Sequence, residues 1–110
     1  MTKKMKTSEL TGAALDWAVA KCEGASPDTL ESYIDGMREA NDGNYSTDWS
    51  QGGPIIERKK IHTFFAAGTW LAEHDVNQGC FIGPTPLIAA MRCYVASRLG
   101  YEVEVPKELT

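Results

Sequence analysis

Two segments gather the side chains able to do chemistry. The first is Tyr45-Ser46-Thr47-Asp48-Trp49-Ser50-Gln51-Gly52-Gly53-Pro54; the second is Gly83-Pro84-Thr85-Pro86-Leu87-Ile88-Ala89-Ala90-Met91-Arg92. In the first, the indole of Trp49 offers a flat face on which a base or another ring can stack. Asp48 and Gln51 can hydrogen-bond polar edges, and Gly52 and Gly53 let a ligand come close to the backbone. In the second, Pro84 stiffens the turn, Thr85 can cap a helix through its hydroxyl, and Pro86 suits the first helical position. The N–H groups of such a first turn attract anions. Arg58 and Arg92 could neutralise the charge of a bound anion. The plainer alternatives are a structural turn with a buried Trp49 and a capping Asp48, and an ordinary capped helix.

Other chemistries find less support. No Gly-Lys-Ser/Thr follows the Gly83–Pro84 turn, so it is not a phosphate-binding loop of the Walker type, and the three glycines of a dinucleotide fingerprint are missing. The only histidines, His62 and His74, lie twelve residues apart. With Cys80 and Cys93 they could be drafted into a metal site, but the close ligand pairs usual for zinc are absent, so no metal and no cofactor is expected. His74 beside Asp75 could be an acid–base pair, although a solvated turn explains it as well. Cys80 and Ser50 sit in no recognisable nucleophile motif, and Asp16, Asp48, Glu57 and Glu73 are dispersed. No catalytic residue is assigned.

The elements that would position the two segments can be read from spacing. Leu15, Ala18, Val19 and Cys22 fall at i, i+3, i+4 and i+7, which predicts a helix from Thr11 to Gly24 with Trp17 on its flank. Ser26-Pro27-Asp28 opens a second helix, in which Leu30, Tyr33, Ile34 and Met37 share one face; the pattern fades at Asn41-Asp42-Gly43-Asn44. Gly52-Gly53-Pro54 predicts a tight bend rather than a helix. Ile55–Arg58 and Ile61–Phe65 read as short strands. Thr69–Glu73 and Gln78–Ile82 read as a hairpin turning at Asp75–Asn77. Pro86–Leu99 is a broadly apolar helix ended by Gly100, and Tyr101–Pro106 alternates as an edge strand closed by its proline. The sum is an α+β fold, with two or three helices packed on a small, mostly antiparallel sheet.

The whole chain sets bounds on these readings. Its 110 residues make one domain, with residues 1–8 a polar, frayed end. A net charge of −4 disfavours nucleic acid, whose backbone needs a basic surface. Cys22, Cys80 and Cys93 are an odd number, which suits reduced thiols in a cytosol better than a secreted disulfide scaffold. The lysines near the start are not followed by the apolar run of a signal peptide, and no segment approaches a membrane span.

Leu10–Ala20, Tyr45–Arg58 and Gly83–Arg92, with the tail to Pro106, together resemble the NinX-like family of tailed bacteriophages, a domain of unknown function. The resemblance covers most of the chain. The stretch 27–43 matches least and reads as a variable insertion. Membership implies a small phage or prophage protein in the cytoplasm of the bacterial host, and transfers no catalytic residue or cofactor.

Two functions of different class follow as expectations. One is non-catalytic binding of a small nucleotide-like ligand between Trp49 and the amides near Thr85, as in sequestration of a host signal. A homo-oligomer would help a chain this small to enclose it. The other is a protein–protein module that inhibits a host protein through an exposed surface carrying Trp17 or Tyr33. An unrecognised enzyme comes third.

Overall fold

A computed structural model describes residues 1–35, 43–74 and 77–110. It confirms the α+β class, with four α-helices and two small antiparallel sheets among the described residues. Strand β1 (Thr2–Lys6) is followed by a 3-10 turn (Thr7–Glu9), then α1 (Gly12–Cys22) and α2 (Pro27–Asp35). Next come α3 (Trp49–Lys59), β2 (His62–Ala66), β3 (Thr69–His74) and β4 (Asn77–Gly83). Then α4 (Pro86–Leu99), β5 (Glu102–Pro106) and a closing 3-10 turn (Lys107–Leu109) complete the chain.

Helix α4 is the axis of the molecule. Leu87, Ala89, Ala90, Met91, Cys93, Tyr94, Val95 and Ala96 are all buried, too many for one stripe, because the helix packs on β3 and β4 as well as on α1 and α3. The small residues Ala89 and Ala90 let those neighbours approach closely. Helix α1 adds Ala14, Leu15, Ala18 and Val19 to the same core. Trp17 departs from its expected flank position: it is buried, with the Lys21 ammonium 5.3 Å over its ring.

The strands β2, β3 and β4 form one sheet in that order, and the expected hairpin of β3 and β4 is present. Its turn falls partly at 75–76, outside the described residues. The helix expected from Ser26 is α2; the fading of its pattern and the rest of the 27–43 stretch fall partly at 36–42, also outside them. Strand β5 does not join this sheet. It pairs instead with β1, so the polar start expected to fray is a strand. Its lysines find a reason there: Lys4 stands opposite Glu104 and Lys6 opposite Glu102, while Met5 faces Val103 and packs on the core. Just beyond, the fully buried Thr7 donates from its N–H to the Tyr101 carbonyl (2.8 Å) and from its hydroxyl to the Gly100 carbonyl (2.6 Å).

The largest correction concerns residues 49–59. The bend predicted at Gly52-Gly53-Pro54 and the strand predicted at Ile55–Arg58 are both part of α3, with Pro54 inside it. Two glycines and a proline cost a helix interior several kcal/mol relative to alanine, of order 1 for each glycine and 3 for proline. Packing overrides that cost: Gly52 and Ile55 are buried and Ile56 is half-buried on one face. The helix ends on Lys60 in the left-handed region (φ 56°), where the N–H of Ile61 closes on the Ile56 carbonyl at 3.0 Å.

Candidate functional site

The Asp48–Pro54 segment is thus a helix start. Asp48 is its cap: its carboxylate accepts from the Ser50 N–H (2.9 Å), the Ser50 hydroxyl (2.6 Å) and the Gln51 side-chain amide (3.0 Å). These contacts, led by the Ser50 hydroxyl, hold its pKa below the ordinary carboxylate range. Gln51 also turns its carbonyl oxygen to the Asn44 N–H at 2.8 Å, which ties the preceding loop to the helix. An acid followed three residues later by glutamine is a capping-box pattern, and it was available in the sequence. The Gly-Gly-Pro signal outweighed it.

Gly52 is where α3 meets α4. A Cβ placed there would lie 2.4 Å from the Tyr45 carbonyl oxygen and 2.6 Å from Cδ1 of Leu87. Gly52 therefore serves close packing, and Tyr45 and Leu87, which sequence reasoning left out of the site, fix the approach. Trp49 is three residues away, about 60° round the helix from that packed face. Trp49 is 54% exposed and borders Gly53, whose Cβ would sit 3.7 Å from Cε3 of the ring. The alternative of a buried Trp49 is thereby removed.

The second segment starts α4 as its spacing predicts. The Thr85 hydroxyl accepts from the Ile88 N–H at 3.1 Å, and Pro86 follows it at the first helical position. Pro84 and Thr85 are exposed. Gly83 must be small, since a Cβ there would stand 2.7 Å from the Ala89 nitrogen. Arg92 lies beneath this turn. It donates to the Leu10 carbonyl and to the Ile82 carbonyl, both at 2.8 Å, and burial lowers its pKa. It braces the loop rather than facing outward.

Because Gly52 touches Leu87, the starts of α3 and α4 are neighbours. Of their first-turn amides, those of Ser50, Gln51, Gly52, Ile88 and Ala89 are taken by caps and backbone. The N–H groups of Trp49 and Leu87 have no partner among the described residues. Arg58 does not join this group. It sits at the other end of α3, about 13 Å along the axis from Trp49, and pairs with Glu23 at 2.7 Å. Glu23 also accepts from the buried Tyr94 hydroxyl, so α1, α3 and α4 are tied at that end.

Residues 6–98 match the sequence family described as Bacteriophage P22, NinX. The chain belongs to that family. No curated protein matches it. Both segments of this NinX-family chain lie inside the matched span. Elsewhere on it, the Cys80 thiol lies 3.4 Å from Glu73, which in turn stands 3.6 Å from His62 in the next strand. Partial desolvation and then Glu73 raise the Cys80 pKa, the opposite of what a nucleophile needs. A shallow hollow of about 360 Å³ over β1 and β5 is lined by Lys4, Lys21, Glu102 and Glu104, whose charges balance. Among the described residues no group of three His, Cys, Asp or Glu side chains is placed to hold a metal ion, and no helix is long and apolar enough to cross a membrane.

Proposed function

We propose that this NinX-family protein is a non-catalytic binder of a small nucleotide-like anion, held beside the adjoining starts of α3 and α4. One observation carries the reading: an exposed indole, Trp49, stands next to a helix junction with two backbone donors that have no partner among the described residues. The charge distribution orients the ligand. Asp48 stays ionised at the start of α3 and repels a phosphate there. The α4 start has no acid in its first turn and offers the Leu87 N–H beside the exposed Thr85. The base therefore stacks on Trp49 and the anionic group lies toward Thr85. Gly53 supports the indole, and Arg92 supports the turn from below. Neutralisation of the ligand by Arg58 or Arg92 is dropped, since both guanidinium groups already hold protein partners.

Sequestering a nucleotide-like host signal in the infected cell's cytoplasm is the role that fits such a binder. The rival role, inhibition of a host protein through a surface carrying Trp17 or Tyr33, loses those carriers, as both are buried. The test is calorimetry and native mass spectrometry against a panel of mono- and dinucleotides. Binding tighter than millimolar that quenches tryptophan fluorescence, and that is lost in Trp49→Ala, supports the reading. A panel with no binder below millimolar, or binding indifferent to Trp49→Ala, overturns it.

A further inference from the structure

Strand β2 presents an open edge whose geometry can be worked out group by group. Ala66 and Thr69 are joined by the two-residue turn Ala67-Gly68, with φ of 53° and 79°. Two positive φ values in a two-residue turn are the type I′ arrangement, which makes the flanking residues a hydrogen-bonded pair. Alternation along the ladder makes Phe64–Leu71 and His62–Glu73 hydrogen-bonded pairs too. Thr63 and Phe65 therefore aim their N–H and C=O groups away from β3. Among the described residues no strand lies on that side of β2, and these four groups have no partner there.

The other described strands carry the usual guards against edge pairing. Strand β1 bears Lys3, Lys4 and Lys6; β5 bears Glu102 and Glu104 and closes on Pro106. The register of β4 with β3 is irregular near Glu73 and His74. Strand β2 reads His-Thr-Phe-Phe-Ala, with no lysine, carboxylate, proline or bulge, and its Phe65 is 59% exposed.

We infer that β2 is the seam of a homodimer, in which two copies pair antiparallel across a two-fold axis at Phe64 and merge their sheets into one of six strands. The fit is specific to a second copy. A two-fold axis perpendicular to a sheet keeps each face on its own side, so only residues of the same parity can stand opposite each other. With Phe64 opposite the partner's Phe64, Thr63 stands opposite the partner's Phe65 on both sides of the axis. All four outward groups of each strand then find a hydrogen bond. His62 falls opposite the partner's Ala66, so no like charges meet. The neighbouring registers fail. Centring on Thr63 brings in Ile61, whose N–H already serves the Ile56 carbonyl. Centring on Phe65 brings in Ala67, which is in the turn. In the favoured register the outer-face row Ile82–Leu71–Phe64 runs on into the partner's Phe64. On the opposite face, the partner's Thr63 covers Phe65, which stands edge-on to Trp70 at 5.2 Å.

Sedimentation velocity and cross-linking test this without reference to any ligand. The wild-type protein is expected at twice the 12.1 kDa of one chain. Thr63→Pro removes only an outward N–H, which an edge strand tolerates, so it should sediment as a monomer with an unchanged far-UV spectrum. In a Cys80→Ser background, Phe64→Cys faces its own copy across a non-hydrogen-bonded pair, a separation a disulfide can span, and should oxidise readily to a covalent dimer. Thr63→Cys faces the partner's Phe65 and should not. A wild-type chain that stays monomeric at millimolar concentration overturns the inference. So does a dimer that survives Thr63→Pro, or equal cross-linking at 63 and 64.

Discussion

Two adjacent glycines in one helix should respond to the same substitution with opposite signs. In Gly52→Ala the new methyl meets the Tyr45 carbonyl oxygen at 2.4 Å and Leu87 at 2.6 Å. Leu87 can rotate only within a filled core, and the carbonyl belongs to the backbone, so α3 must move outward. Overpacking of this kind costs about 1–3 kcal/mol. The gain in helix propensity returns roughly 1 kcal/mol. Because one of the two contacts is backbone, the upper part of the range applies, and the net loss is about 1–2 kcal/mol. In Gly53→Ala the nearest atom is 3.7 Å away, an ordinary contact, and only the propensity gain of roughly 1 kcal/mol remains. The two variants should differ by about 2–3 kcal/mol, which for a chain near 100 residues is of order 10 °C in Tm. Urea unfolding followed by far-UV circular dichroism reads this directly, with an unchanged slope showing that the denatured state is not the cause. A Gly52→Ala protein as stable as wild type, or two glycines that behave alike, would refute the packing argument.

Arg92→Met leaves the Leu10 and Ile82 carbonyls without their cationic donor and should lower stability by about 2 kcal/mol in the same assay; Arg92→Lys should recover only part, since an ammonium lacks the planar fork. Tyr94 is pushed up to about 12 from its ordinary 10.0, by burial first and then by Glu23. A raised folded-state pKa supplies stability that is complete below the unfolded value and lost as pH rises through the folded one. Stability should therefore fall between pH 10 and about 12, and Tyr94→Phe should flatten that fall. A thiol reagent at neutral pH should label the exposed Cys80 first, though more slowly than a free thiol because its pKa is raised. Cys22, buried and pushed up to about 11, and the fully buried Cys93 should react only as fast as the protein opens. Mass spectrometry of partly labelled protein counts the fast and slow sites.

The elements that were legible in the sequence are those whose local and tertiary signals agree. Thr85-Pro86 and Gly100 bracket α4, and the apolar spacing between them gives the same answer as its burial. The α1 stripe and the Ser26-Pro27-Asp28 start of α2 worked for the same reason. Strand β1 was illegible because its apolar content is low. Lys4 and Lys6 make sense only opposite Glu104 and Glu102, nearly a hundred residues away in sequence. Helix α3 was illegible because Gly52-Gly53-Pro54 carries a true local preference against helix, which the contact with Leu87 overrules. Of the site, the α4 start could be found, since Thr85 and Pro86 announce it; the α3 start could not, because Gly52-Gly53-Pro54 masked the capping pattern of Asp48 and Gln51. The guanidinium groups could not be placed, because Glu23, Leu10 and Ile82, which hold them, lie in other elements.

Residues that break local rules without a packing reason mark the places where something other than stability shapes a chain. Gly52 has its reason in Tyr45 and Leu87. Gly53 and Pro54 have none of that kind: Gly53 has room for a methyl group, and Pro54 is exposed. Against alanine the pair costs the helix roughly 4 kcal/mol. What Gly53 does provide is an open place on the helix beside the exposed Trp49, Cε3 of whose ring would lie 3.7 Å from a Cβ there. A methyl at 53 would fill the space beside Cε3 of that ring, at an ordinary contact distance, while strengthening the helix. If Gly53→Ala raises Tm and at the same time weakens nucleotide binding several-fold, the glycine serves the exposed indole. If it raises Tm and leaves binding intact, Gly53 plays no part in the site, and the stacking platform rests on Trp49 alone.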